Sequence, residues 1–331
     1  MRDPAFWWRP AGVAAALLAP LGAVYGAVAA RRMLQPSHSI DIPVLCVGNL
    51  TLGGAGKTPT AIAIAELLGA EGRRPFLLSR GYGGSFGGPV QVDTASHRAT
   101  DVGDEPLLLA RHAPTIVARD RVAGAALARS AGAGSIVMDD GFQSPGLHKH
   151  CSILVVDGRR GIGNGLVFPA GPLRAPLARQ IERADGLMVI GDGMGAELVE
   201  AAARQQGVAV FQGHLEPHPQ AVAALRGHAL LAFAGIGDPE KFFATLRNAG
   251  LDVRACVAFP DHHRYRRAEA AALIDRARRE GLVLVTTEKD QARLVGQDDL
   301  AALAGVARSL PVRLRVDEPS AFRDFVLAEG R

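Results

Sequence analysis

Gly53-Gly54-Ala55-Gly56-Lys57-Thr58 is the feature of this 331-residue chain that most narrows its possible folds. Consecutive glycines let backbone N–H groups converge on an anion with no side chain in the way, provided a strand delivers the chain and a helix carries it away. Both flanks fit. Ile42-Pro43-Val44-Leu45-Cys46-Val47 reads as a buried strand, and residues 60–68 place Ile62, Ala65 and Leu68 at helical spacing. Pro59 suits a first helical turn, where its missing N–H is not needed. The window from Thr51 through Leu52 to Thr58 departs from GxxxxGK[ST] at its first position, where Thr51 replaces glycine. The competing dinucleotide fingerprint, GxGxxG, fails at its end, because Gly54-Ala55-Gly56 leads to Pro59. The loop therefore predicts a nucleoside triphosphate site. Lys57 would reach the β- and γ-phosphates and the Thr58 hydroxyl would ligate Mg²⁺.

The remaining pattern predicts an α/β fold: a P-loop NTPase-like parallel sheet with helices on both faces, and a second, smaller α/β lobe. Short apolar runs recur at Phe76-Leu77-Leu78, Thr115-Ile116-Val117, Ser135-Ile136-Val137-Met138, Ile153-Leu154-Val155-Val156, Val189-Ile190 and Val208-Ala209-Val210-Phe211. Around 213–227 the pattern loosens at Pro217 and Pro219, which marks a hinge. Leu230-Leu231-Ala232-Phe233, residues 253–259 and Leu282-Val283-Leu284-Val285 then open a second set of strands. The predicted division is 1–35 as an N-terminal segment, 36–215 as the P-loop lobe and 226–331 as the second lobe. The glycine-rich stretch 81–89 is expected to be mobile.

The N-terminus has a different character. Residues 11–30 carry no charge, follow Phe6-Trp7-Trp8-Arg9 and precede Arg31-Arg32, a length and flanking pattern suited to a bilayer. Bulky tryptophans in front and paired arginines behind disfavour a cleaved leader. Pro20 and the many small residues leave a spanning helix and an interfacial helix both open. A net charge of +4 from scattered basic residues, without a Lys/Arg run, gives no nucleic-acid surface. Cys46, Cys151 and Cys256 sit apart in apolar runs with no CxxC pair, as buried free thiols of a reducing compartment would.

A triphosphate site needs an acid at the end of a neighbouring strand, and Ser135-Ile136-Val137-Met138 runs into Asp139-Asp140-Gly141, a metal-site pattern. Asp101, Asp104 and Glu105 stand before a helical run, where an acid serves either as helix cap or as proton acceptor. Asp261-His262-His263 adds imidazoles at the edge of the second lobe; His148 and His150 read as surface residues. Arg80, Arg119, Arg121, Arg159, Arg160 and Arg174 follow strand ends or loops and are candidates for an anionic headgroup, against ordinary surface arginine.

Together these residues resemble one family, tetraacyldisaccharide 4′-kinase, over essentially the whole chain. The resemblance rests on Val47-Gly48-Asn49-Leu50-Thr51, Ser79-Arg80-Gly81-Tyr82-Gly83, Gly103-Asp104-Glu105-Pro106 and Asp139-Asp140-Gly141-Phe142-Gln143. It continues through Asp157-Gly158, Gly163-Asn164-Gly165, Pro169-Ala170-Gly171-Pro172-Leu173-Arg174, Ala234-Gly235-Ile236, Asp261-His262 and Thr287-Glu288-Lys289-Asp290. It accounts for Thr51, since the family carries threonine there. It implies ATP- and Mg²⁺-dependent phosphorylation of the 4′-hydroxyl of an acylated glucosamine disaccharide 1-phosphate at the cytoplasmic face of the inner membrane, with no obligate protein partner. It further implies Asp104 as general base, His262 as its orienting partner in preference to His263, and Asp139 and Asp140 at Mg²⁺ and the transferred phosphoryl group. Arg80, Arg119 and Arg174 are the arginines assigned to substrate. The chain departs from the family at Ala175, where an acid is common. The alternative is a membrane-tethered P-loop ATPase or nucleotide switch acting on a protein, which would have no use for Asp104 and His262. The role of residues 287–290 is left open.

Overall fold

The apolar runs become two sheets in a computed structural model that describes residues 3–329. In chain order the strands are β1 (Val44–Asn49), β2 (Pro75–Ser79), β3 (Val90–Gln91), β4 (Thr115–Val117), β5 (Ser135–Asp139), β6 (Cys151–Asp157), β7 (Gly186–Ile190), β8 (Ala209–Pro217), β9 (Ala229–Ala234), β10 (Asp252–Ala258), β11 (Val283–Thr287), β12 (Arg308–Leu310) and β13 (Val312–Val316). The larger sheet has the order β13-β8-β7-β6-β1-β5-β2-β4-β3 and is parallel except for β13 and β3, which pair antiparallel at its edges. The smaller sheet, β10-β9-β11-β12, is parallel throughout.

Uninterrupted apolar runs follow from burial on both faces. Successive side chains of a strand point to opposite sides, so Val44 and Cys46 enter one apolar cluster while Leu45 and Val47 enter another. In the second lobe Leu231 and Phe233 face one cluster, and Leu230, Ala232 and Ala234 the other. The topology sets β1 between β5 and β6, so the glycine loop leaves from mid-sheet, beside the end of β5 that carries Asp139. The helix Lys57–Ala70 starts at this edge and packs along one face of the sheet, burying Thr58, Ala61, Ile64, Ala65 and Leu68. Cys46 and Cys151 are buried free thiols, whereas Cys256 is only half-buried.

The stretch expected to loosen is structured. β8 extends to Pro217, pairing with β7 along its first half and with β13 along its second, and Pro219 opens the helix Pro219–Leu225. Both prolines occupy places that tolerate a missing N–H, a strand end and a first helical turn. The last strand and the helix Pro319–Glu329 return to the larger sheet, so the second lobe closes near residue 311 instead of running to the C-terminus. Its two crossings lie side by side, with His218 N–H donating to the Pro311 carbonyl at 2.8 Å. The glycine-rich 81–89 stretch is tied down by Ser85 N–H to Thr100 O and Phe86 N–H to Asp101 O, both at 2.9 Å.

Residues 13–33 form one helix, long and apolar enough to cross a membrane. One narrow stripe rests on the larger lobe: Ala15, Gly22, Gly26 and Met33 are buried. A Cβ on Gly22 would come within 2.7 Å of the Val167 carbonyl oxygen, so glycine is what permits this close approach. The opposite side exposes Val13, Leu17, Leu21, Val24 and Val28, with Val13 and Leu17 at 78% and 75%.

Candidate active site

The phosphate loop is held from two directions. Asn49 Nδ2 donates to the Gly53 carbonyl at 2.9 Å, and the Leu52 N–H donates to the Pro172 carbonyl at 2.8 Å. Thr51 forms a bridge with Leu173, and Arg174 Nε donates to the Thr51 carbonyl at 3.0 Å. Position 51 thus works as a short piece of strand, which explains why threonine serves there. Gly53 and Gly56 adopt φ of +103° and +100°. That backbone conformation favours glycine, and a Cβ at Gly56 would also lie 2.5 Å from Ile190 Cδ1, which would have to shift.

Lys57 and the carboxylates after β5 form the charged floor. Lys57 Nζ lies 3.8 Å from Asp140 Oδ2; burial lowers its pKa while Asp140 opposes the shift. Asp140 sits at φ +55° and is gripped by Arg174, with Nη1 to Oδ1 at 2.7 Å and Nη2 to Oδ2 at 3.2 Å. Burial works to raise the Asp140 pKa, but Lys57 and Arg174 together bring it down to about 2. Asp139 differs. Thr58 Oγ1 donates to its Oδ2 at 3.3 Å, while Oδ1 is buried with no hydrogen-bond partner among the described residues. Burial, reinforced by Glu105, pushes this carboxyl up to about 7.

An orphaned carboxylate oxygen beside a hydroxyl, at the foot of a phosphate cradle, fits Mg²⁺, which takes few protein oxygens and keeps several waters. Thr58 and Asp139 offer donors, and each Asp140 oxygen keeps lone pairs beyond the one N–H it accepts from Arg174. Ala175 lies fully buried in an apolar cluster with Leu50 and Ile181 and contributes no donor.

Across from the loop, Gly103 at φ +96° turns the chain so that Asp104 enters the helix Asp104–Leu109 with its side chain buried. The residues meeting Asp104 come from the second lobe. His262 Nδ1 lies 3.5 Å from Asp104 Oδ2, and Arg293 donates to the same oxygen through Nε at 2.7 Å and through Nη2. Burial opposes ionisation of Asp104, yet the His262 hydrogen bond and the Arg293 charge hold its pKa far below the usual carboxylate range. His262 is itself raised by Asp104, takes φ +52° and packs against the Tyr82 ring at 4.9 Å between centroids. His263 turns away to pair with Glu269 at 2.9 Å and stack on Phe259.

Comparison with known proteins gives the family. The family model for tetraacyldisaccharide-1-P 4′-kinase matches residues 14–331. The chain belongs to that family. The tetraacyldisaccharide 4′-kinase of Rhodopseudomonas palustris strain BisA53 is 57% identical over 329 residues, covering 99% of this chain and 96% of the relative. That of Xanthobacter autotrophicus is 58% identical over 337 residues, covering 100% and 98%. A crystal structure described as the "apo" form of LpxK from Aquifex aeolicus in complex with ATP superposes with a TM-score of 0.73 at 26% identity, covering 96% of this chain and 99% of that one.

Within this family member, the fold gathers Lys57, Thr58, Asp139, Asp140 and Arg174 around the loop, and Asp104 with His262 at the lobe interface. Arg80 and Arg119 are exposed and have no acidic partner among the described residues. The other arginines are occupied. Arg121 is buried, donating to the Ala118, Asp139 and Asp140 carbonyls, and Arg159 and Arg160 both pair with Asp238 at 2.8 Å. Sequence reading left the role of Lys289 open and missed Arg293. Lys289 bonds Glu105 at 2.6 Å, so the segment after β11 clasps both acids of the 104–105 pair. Their i, i+4 spacing was the available signal, since it sets both on one side of a helix.

Proposed function

We propose that Lys57, Thr58, Asp139, Asp104 and His262 carry the family's reaction here, transfer of the ATP γ-phosphate to the 4′-hydroxyl of tetraacyldisaccharide 1-phosphate. The observation that carries this reading is the buried, partnerless Asp139 Oδ1 beside Thr58 at the base of a glycine cradle. Backbone N–H groups from Gly53 to Thr58 surround the phosphates, and Lys57 balances charge on the β- and γ-oxygens. Mg²⁺ on Thr58 and Asp139 would neutralise the charge that develops during transfer. Asp140 is held by Arg174 so that it fixes Lys57. Asp104 Oδ1, the oxygen not taken by Arg293 and His262, accepts the proton of the 4′-hydroxyl; His262 orients the carboxylate. With Arg174 engaged at Asp140, Arg80 and Arg119 are the arginines left to hold the sugar 1-phosphate. The switch alternative draws no support from relatives that are kinases along their whole length.

The direct test is transfer of labelled γ-phosphate from ATP to the acylated disaccharide 1-phosphate in detergent micelles. A product that carries one labelled phosphate at the 4′ position in addition to its 1-phosphate, formed only with Mg²⁺, is expected. ATP hydrolysis without lipid labelling would sink the assignment.

The same reading places the protein on the cytoplasmic face of the inner membrane. The exposed row Val13, Leu17, Leu21, Val24 and Val28 supports it, being an apolar surface on a helix whose other side is docked on the catalytic lobe. Leu17→Glu combined with Leu21→Glu is expected to reduce co-flotation with phospholipid vesicles by about tenfold or more, since an acid in the hydrocarbon region costs roughly 2.5–3.5 kcal/mol. Undiminished flotation would remove this face from membrane contact.

A further inference from the structure

Arg293 meets the reacting end of the molecule without belonging to the phosphate machinery. It is buried, and its guanidinium is held within its own lobe before it reaches the other: Nη1 donates to the Gly235 carbonyl at 2.6 Å and to Asp290 Oδ1 at 2.8 Å. Asp290, fully buried, also accepts from the Gly235 N–H at 3.0 and 3.1 Å and from the Tyr265 hydroxyl at 2.9 Å. Thr287 completes the anchor by donating to Asp290 Oδ2 at 2.7 Å. The remaining edge of the guanidinium, Nε and Nη2, points across the lobe interface at one oxygen of Asp104. A planar fork fixed on one side and bonded on the other defines the position of the carboxylate oxygen it holds.

We infer that Arg293 is a positioning residue for the phosphoryl transfer: it locks Asp104 through Oδ2, leaving Oδ1 to take the hydroxyl proton, and does so only when the second lobe is seated against the first. This rests on Asp104 being the base. The neighbouring Lys289–Glu105 pair, at 2.6 Å on the same helix Glu288–Leu294, seats the lobe alongside it. The assembly of a competent base is thereby tied to lobe closure, because Asp104 and its holder are 189 residues apart and stand on helices of different lobes.

The test is a double-mutant cycle on kcat with Arg293→Gln, Arg293→Lys and Asp104→Asn, each checked by thermal melting. Arg293→Gln is expected to lower kcat by about 10²-fold and leave the KM for ATP within about twofold, because the variant misplaces the proton acceptor and leaves the glycine loop untouched. Arg293→Lys is expected to lose about threefold to tenfold, since a point charge replaces the fork. In the Asp104→Asn background either change is expected to cost less than about twofold, the signature of residues that act as a unit. Losses of equal size in both backgrounds would overturn the positioning role and leave Arg293 structural. Asp104→Asn with near wild-type turnover would overturn the base assignment and the positioning role together. Where Arg293→Gln fails to fold, the Arg293→Lys arm decides by the same comparison.

Discussion

Asp104→Asn is expected to lower kcat by about 10²–10⁴-fold, the range that general-base catalysis supplies. Asparagine keeps the shape of the side chain and an acceptor for Arg293, so the change removes proton affinity more than geometry. The site is sensitive to anything coarser. Asp104 is buried beside a buried guanidinium, and removing one member of such a pair costs roughly 3–5 kcal/mol by stranding the other. Here Arg293 retains Asp290 and the Gly235 carbonyl, which limits that penalty. The KM for ATP is expected to stay within about twofold, because Asp104 interacts with the second lobe and not with the glycine loop. Steady-state transfer assays with a thermal melt decide the matter: a folded variant within threefold of wild type would take Asp104 out of the proton transfer.

Lys57→Met is expected to reduce kcat/KM by on the order of 10³, comparable to the loss of a preorganised charged donor at a phosphoryl group. Methionine matches the length of the lysine stem and packs in the same largely buried channel. What disappears is a charge that faces Asp140 at 3.8 Å and lies within electrostatic reach of Glu105 and Asp139. Without it the carboxylates repel the nucleotide phosphates they should help to place, so weaker ATP binding is expected alongside slower transfer. Isothermal titration with ATP separates the two effects. An unchanged kcat/KM would mean that the loop does not carry the transferred phosphate.

Much of the site was readable from the chain because its chemistry is local. A cradle of backbone N–H groups requires glycines in succession, and Gly53, Gly54 and Gly56 stand consecutively enough to be seen without a fold. Asp139 and Asp140 follow a buried strand directly, so their place at the sheet edge comes from the strand run itself. The choice of His262 over His263 came from the family pattern, and the geometry gives the two rings different partners, Asp104 and Glu269.

The misread parts depend on partners remote in sequence. The 213–227 stretch read as a loosened hinge because Pro217 and Pro219 are breakers by composition; the chain does pass between the lobes there, but through a strand end and a helix start. Their tolerance depends on β13, which supplies the pairing along the second half of β8 from a hundred residues away. Arg174 was readable as a basic residue near substrate, but only packing shows it spent on Asp140 and Thr51. The helix at 13–33 could be recognised from its apolar length, yet its docked stripe depends on Gly22 meeting Val167.

The sequence by itself determined the parallel sheet, the phosphate loop, the acids that follow β5 and the apolar N-terminal helix, because each is written in the periodicity and chemistry of neighbouring residues. Only the tertiary structure decided that Arg293 and His262 meet Asp104 at Oδ2, which candidate arginines have no acidic partner among the described residues, and where the second lobe ends. Those are properties of side chains brought together by sheet pairing and lobe contact, and their distance and orientation leave no trace in local spacing.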